Sequence, residues 1–345
     1  MCDRQTAGPD VQIRGCSMGA KTKKHSFKPR FFIILLVLVV GIGVLLFTLF
    51  RGPETFGPPE KGHILYTASH SPASQVEQID VKLLSKYAEV YDITNGRVLY
   101  EKNADKKARP ASLTKVMTAI LAIENIEDLN KKISTPASVY KKLRNSDLAR
   151  LELKGGEKLT GNELLYGLLL PSAADCACTL AIESAGSEKA FVKMMNEKAK
   201  ELKMDNTSFG NPIGEDDDRT YTTADDYVKL LRYALKNETF RKFFTTKKYM
   251  LGPSNKRDYS IALRNLTFGK FPGGASYIKG GKTGTTDGAG HCLATLGELN
   301  ANEYVSVTMY AEPTSKHPLP TGEDAKKIYS QIEKETNKII KEEYE

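Results

Sequence analysis

Residues 31–50 read FFIILLVLVVGIGVLLFTLF, twenty consecutive residues without a charge. A water-soluble surface does not hold such a run, so it divides the chain before any other feature is considered. As a helix it rises ~1.5 Å per residue and spans about 30 Å, the depth of a bilayer's hydrocarbon core. The stretch is longer than the ~7–15 apolar residues of a cleaved leader, and no small-x-small site follows directly in RGPETFGPP. The expectation is a single-pass signal anchor that stays uncleaved. Residues 1–30 carry seven Lys or Arg against Asp3 and Asp10, which marks them as a basic cytoplasmic tail and places everything after Arg51 outside the cell membrane. That tail accounts for most of the net charge of +8. The remainder is only slightly basic, so no nucleic-acid partner is indicated.

Residues 51–82, with Pro53, Pro58, Pro59 and Pro72 among polar residues, read as a linker. Residues 83–330 form the expected folded domain, with enough apolar content for a sizeable core, and 331–345 a helical tail. Val90 and Tyr91 lead into Asn95-Gly96, and Val98, Leu99 and Tyr100 lead out, the pattern of a tight hairpin. The middle of the chain is helix-rich, with Pro171 expected to interrupt a helix just before Ser172. YIKGGKTGTTDGAGHCLATLGEL and EYVSVTMYA then read as strands, and 323–343 as a Lys- and Glu-rich helix. Strands at both ends with helices between predict an α/β (α+β) sandwich whose sheet joins the two ends of the sequence. Cys176, Cys178 and Cys292 fall outside the membrane; their odd number argues against a disulfide framework, and they read as small buried residues.

RPASLTKVMTAILAIEN, residues 109–125, reads as an amphipathic helix with Pro110 just ahead of it. At its head Ser112 and Lys115 stand three residues apart, on one face and close enough to touch. The spacing alone selects nothing, since Ser138–Lys141 and Ser276–Lys279 repeat it. What selects Ser112 is the company it keeps. S-x-x-K with K-T-G is a signature of penicillin-binding proteins and class A β-lactamases. K-T-G occurs once, at Lys282-Thr283-Gly284, inside GGKTGTTDGAGHCL, which resembles the K-T-G-x-T-x-x-A-G-x-C stretch of low-molecular-weight D-alanyl-D-alanine carboxypeptidases. PASLTKVMTA resembles their nucleophile segment, LLYGLLLPSAADCACTLA the segment of their second motif, and NTSFGNPIG with TTADDY the loop and helix after it. From about 84 to about 330 the chain is thus identified as a member of the serine-type D-alanyl-D-alanine carboxypeptidases, peptidase family S11.

The resemblance implies a β-lactamase/DD-peptidase-like fold: an antiparallel sheet flanked by helices, plus an all-helical subdomain. It implies a serine carboxypeptidase that removes the terminal D-alanine of peptidoglycan stem pentapeptides, without cofactor or metal, and that β-lactams acylate. Ser112 is the implied nucleophile. A serine hydroxyl needs a base, and Lys115 can serve if desolvation and the nearby Lys282 cation keep it neutral. The backbone N–H groups of Ser112 and Thr285 are the implied oxyanion donors. Gly284 lets the strand approach the substrate closely. Lys282 and Thr283 hold the substrate carboxylate, and Ser172 shuttles a proton to the leaving group.

Two positions depart from the family pattern. The second motif, usually S-x-N, reads Ser172-Ala173-Ala174, and loss of one such hydrogen bond costs on the order of 1–3 kcal/mol. No arginine stands near Thr321, where relatives commonly place one beside the carboxylate pocket. The chain also stops soon after the strands, so the β-rich domain and amphipathic anchor of many relatives are expected to be missing. Three other readings stay open: a stem-peptide or penicillin sensor disabled by Ala174, an endopeptidase acting on D-amino acid cross-links, and a β-lactamase. For the last, no glutamate stands in a context resembling that family's. The one G-x-S-x-G, Gly15–Gly19, lies in the basic tail without the strand-turn-helix that a Ser-His-Asp site requires. His291 reads as a packing or rim residue, and Glu215–Asp218 as a solvated loop without calcium-loop spacing.

Overall fold

A computed structural model describes residues 72–344. The expected anchor at 31–50 and the cytoplasmic tail lie outside the described residues. Among the described residues no helix is long and apolar enough to cross a membrane.

The expected hairpin forms: β1 (Tyr87–Asp92) and β2 (Arg97–Lys102) pair antiparallel around the Asn95-Gly96 turn. The late strands β7 (Ile278–Thr286), β8 (Gly290–Leu299) and β9 (Asn302–Ala311) form a meander, with Asn300 and Ala301 both at positive φ in the tight β8–β9 turn. The two groups merge into one antiparallel sheet of order β2-β1-β9-β8-β7, so the sheet does join the two ends of the sequence.

The period-2 pleat sends alternate side chains to opposite faces. Ala88, Val90, Leu293 and Tyr304 face one core with the C-terminal helix Pro320–Tyr344, through Ala325, Ile328, Tyr329 and Ile332. Val76 and Ile79 join the same core, so the packed chain reaches back into the segment read as linker. The C-terminal helix runs unbroken across residue 330, with Ile332 and Thr336 buried beyond it.

Ala294, Leu296, Val305 and Val307 face the larger core, which holds α1 (Lys115–Asn125). This helix is not amphipathic as its sequence suggested. Every residue from Lys115 to Ala122 is buried, because α3 (Gly161–Leu169), α4 (Ala174–Ala185), α5 (Glu188–Glu201) and α6 (Ala224–Leu235) surround it, with α2 (Ala137–Leu143) packed on α4. Its first turn, Ala111–Thr114, is 3₁₀. The subdomain is not all-helical either. Two short antiparallel pairs accompany the helices, β3 (Lys132–Ser134) with β4 (Lys158–Thr160) and β5 (Lys248–Leu251) with β6 (Ile261–Arg264).

The pleat also buries Glu89 on the helical side of β1, 3% exposed. Burial, reinforced by Asp225 and Glu101, pushes its carboxyl up to about 8, while Lys229 and Arg232 oppose the rise. A carboxyl whose folded pKa exceeds its unfolded value keeps a proton that the unfolded chain has lost, so stability falls as pH rises from about 4.5 to about 8. Glu89→Gln removes the ionisation. Denaturant unfolding at pH 4 and pH 9 should show a gain of on the order of 2–4 kcal/mol for the variant at pH 9 and little change at pH 4, below the unfolded carboxyl's range. Equal wild-type and variant stability at pH 9 would contradict this account.

Candidate active site

The site forms where three backbone segments meet. The first is the turn carrying Ser112. Ala111, immediately ahead of it, holds φ +47°, a conformation uncommon for a residue with a side chain and maintained only where the surroundings impose it. Those surroundings are visible. Gly214 sits against Ala111 so closely that a Cβ there would fall 1.8 Å from the Ala111 carbonyl oxygen, and its own φ is +79°. The Gly214 loop is held by Asn211, whose side-chain oxygen accepts from the amides of Ile213, Gly214 and Glu215 at 3.2, 2.7 and 3.0 Å.

The second segment is the break between α3 and α4, where Pro171 interrupts the helix as its ring predicts. Ser172 also holds positive φ, +67°, and is buried. The third is β7, drawn against the nucleophile turn. A Cβ on Gly284 would meet the Pro110 carbonyl oxygen at 3.0 Å and the Ser112 nitrogen at 3.2 Å, so any larger residue would push the strand away.

Ser112, Lys115, Ser172, Thr283, Gly284 and Thr285 line one cleft of about 210 Å³. The Lys115 ammonium donates to Ser112 Oγ at 2.9 Å and to the Ile213 carbonyl at 2.6 Å. That carbonyl answers the question raised by Ala174, because the backbone of the Asn211 loop supplies Lys115 with a polar partner. Ala174 is itself buried at the head of α4, its amide donating to the Ala149 carbonyl at 2.7 Å. Burial pushes the Lys115 amine down to about 8, against the opposing pull of buried thiols and carboxylates around it. The neutral amine that can accept a proton is therefore a minor form at neutral pH and the major one above about 8.

Lys282 is placed differently from the sequence reading. Its side chain does not line the cleft; it is 1% exposed and lies behind Ser172, donating to Ser172 Oγ at 2.8 Å and to the Thr283 carbonyl at 2.7 Å. Burial, and then the Lys115 charge, push its amine well below the usual range. An amine so buried acts on the cleft through its hydrogen bond to the Ser172 hydroxyl, leaving Thr283 as the K-T-G side chain on the cleft wall. Burial therefore does for Lys115 what the sequence reading had assigned partly to the Lys282 cation.

Other groups carried no motif. Asp147, Leu148, Ala149 and Leu266 complete the cleft wall. Asp175 anchors that wall: buried at the start of α4, its carboxylate accepts from the amides of Leu151 and Leu153 at 3.1 and 2.9 Å. An acidic residue at a helix N-terminus was the available signal, but nothing local pointed to a partner more than twenty positions earlier. The Glu215–Asp218 loop is more than a solvated one. Asp216 accepts from Thr286 Oγ1 at 2.8 Å and from the Gly288 amide at 2.9 Å, latching the loop to the end of β7. His291 faces Thr285 across the β7–β8 register, half-buried, its imidazole held toward the neutral form by burial and by Lys270. Cys176, Cys178 and Cys292 are buried free thiols.

A buried lysine hydrogen-bonded to a serine, facing a glycine-relieved sheet edge across a cleft, defines an acyl-transfer site of the serine–lysine type. The family model for D-alanyl-D-alanine carboxypeptidases, Peptidase S11, matches residues 72–313, and the chain belongs to this family. D-alanyl-D-alanine carboxypeptidase DacF of Bacillus subtilis is 32% identical over 227 residues, covering 66% of this chain and 57% of that protein. A D-alanyl-D-alanine endopeptidase of Escherichia coli is 31% identical over 253 residues, covering 71% of this chain and 76% of its own length. The chain thus spans little more than half the length of DacF. Among solved structures, the Streptomyces K15 DD-transpeptidase superposes with a TM-score of 0.67 at 26% identity, covering 73% of this chain and 98% of that one.

Proposed function

We propose that the chain is a serine D-Ala-D-Ala carboxypeptidase, held to the cell membrane by residues 31–50, that removes the terminal D-alanine of peptidoglycan stem peptides. The observation that carries the reading is the 2.9 Å hydrogen bond between the Lys115 amine and Ser112 Oγ, in a pocket that holds the amine's pKa near 8. Neutral Lys115 takes the Ser112 proton as Oγ attacks the penultimate D-alanine carbonyl. The Ser112 and Thr285 amides stabilise the developing oxyanion. Thr283 binds the terminal carboxylate. Ser172, polarised by Lys282, relays the proton to the departing D-alanine. Water then hydrolyses the ester by the reverse proton path. A β-lactam enters the same sequence and stops at the ester.

Ala174 favours one competing reading, a binding protein that is acylated without turning over. One experiment separates the two. The full chain, in detergent, is incubated with a D-Ala-D-Ala-terminated peptide, and a membrane-impermeant fluorescent penicillin is applied to spheroplasts expressing it. D-Alanine release together with external labelling at Ser112 is the expected result. Labelling without release would establish the binding protein. Absence of both would remove the serine–lysine reading, and labelling only after lysis would remove the extracytoplasmic placement.

A further inference from the structure

A second groove, of about 970 Å³, opens beside the catalytic cleft, and Leu266 forms part of both walls. Its position on the substrate axis follows from β7. The nucleophile turn touches Gly284, and the cleft is lined by Thr283 to Thr285. The groove lies at the opposite end of the strand, walled by Ser276 and Tyr277 just ahead of Ile278 and by Arg264–Leu266. The Leu266 amide donates to the Leu170 carbonyl at 3.2 Å, tying this wall to the turn that presents Ser172. The groove therefore opens on the Ser172–Lys282 side of Ser112. In the mechanism above, that is the side where the leaving amine receives its proton.

The lining is distinctive in charge. Lys247, Lys248 and Arg264 contribute to it, and it contains no Asp or Glu. None of these three forms an ion pair among the described residues, and all three are exposed. Lys248 and Arg264 stand directly opposite each other in the β5–β6 register. Like charges in that relation repel and destabilise the pair, so an anion between them would relieve a cost already built into the fold. Phe268 and Tyr277 supply apolar surface beside the cations, with the Lys247 amine 5.2 Å from the centre of the Phe268 ring.

We propose that this groove is a leaving-group subsite for an acidic peptide, joined through its amine to the D-alanine carbonyl that Ser112 attacks. The proposal rests on the serine peptidase reading above and takes up its endopeptidase alternative; what it adds is the basic groove as the site that selects an acidic leaving peptide, as in a cross-linked pair of stems. The Ser112 Oγ–carbon bond forms as the carbon–nitrogen bond breaks. The hydroxyl proton ends on the departing peptide amine, and water then returns the serine and a free carboxylic acid.

The test uses three substrates with one common acyl part. Their leaving groups are D-alanine, a neutral D-alanyl peptide, and the same peptide with two glutamates. The full wild-type chain should cleave the acidic peptide with a kcat/KM roughly ten-fold above the neutral one. That ratio should shrink as salt rises from low to physiological ionic strength and beyond. Lys248→Ala with Arg264→Ala should bring it close to one, and Lys248→Glu with Arg264→Glu below one. A wild-type ratio near one, or a preference that survives both double variants, overturns the subsite while D-alanine release still supports the peptidase reading. No turnover of any of the three, with no penicillin labelling, overturns the peptidase reading itself.

Discussion

Replacing Lys115 by methionine should slow penicillin acylation of Ser112 by roughly three orders of magnitude, the usual range for loss of a positioned general base. The expectation rests on geometry and on charge together. Lys115 Nζ lies within hydrogen-bond reach of Ser112 Oγ, and burial holds its amine near 8. In the wild type the acylation rate should therefore rise with pH and level off above about 8, because the neutral amine is the active form. The methionine variant should lose that inflection. Unfolding is not expected to explain the loss. An amine depressed to about 8 destabilises the fold by a constant amount below that pH, an amount relieved as pH rises toward 10.5. Methionine removes this penalty with similar volume, so the variant should melt no lower than wild type at pH 7. Stopped-flow acylation between pH 6 and pH 10 measures both points. A variant acylated within ten-fold of wild type would place the base elsewhere.

The second large effect is structural. Arg257 and Glu157, 6% and 3% exposed, form an ion pair at 2.9 Å that joins the β5–β6 hairpin to the residues ahead of β4. Each partner is otherwise satisfied. Glu157 accepts from Ser254 Oγ at 2.7 Å and from the Lys154 amide at 3.0 Å, and Arg257 donates to the Gly252 and Tyr259 carbonyls at 3.0 and 3.1 Å. Arg257→Ala leaves a buried carboxylate unpaired, at a cost of about 3–5 kcal/mol. For a domain of this size the melting temperature should fall by about 10 °C. Glu157→Leu combined with Arg257→Leu should recover most of it, because two apolar residues leave no unpaired charge. A single variant that melts within two degrees of wild type, about the scale of a surface change, would show that the pair contributes little.

The site was legible in the sequence where its logic is local. Ser112 and Lys115 are three residues apart, so their contact follows from one turn of helical backbone. Pro171 breaks a helix through its own ring, and Asn95-Gly96 turns a hairpin through its own φ preferences. The sequence was silent where depth decides. Lys282 stands beside Thr283 in the chain, yet only the packing around it shows that its amine is sealed behind Ser172 while Thr283 reaches the cleft. The carbonyl that binds Lys115 belongs to Ile213, whose side chain says nothing about it; the decisive residue is Asn211, which shapes the loop. The segment 115–122 looked two-faced because polar residues punctuate it. Lys115, Thr114 and Thr118 are buried all the same, because loops and neighbouring helices supply carbonyls to some of them, as Pro212 does for Thr118 at 2.6 Å.

The sheet order has a consequence for how the chain comes to be folded. β1 finds its second neighbour, β9, more than two hundred residues later, so the catalytic wall closes only when nearly the whole domain is available. Contacts of such separation are slow to form, and a nascent chain ending before residue 302 would present the free margins of β1 and β8 as templates for wrong pairing. Ser112 and Lys115 are synthesised early, but the ribbon that turns them into a working pair arrives late. Premature termination should therefore yield an inert, adhesive fragment.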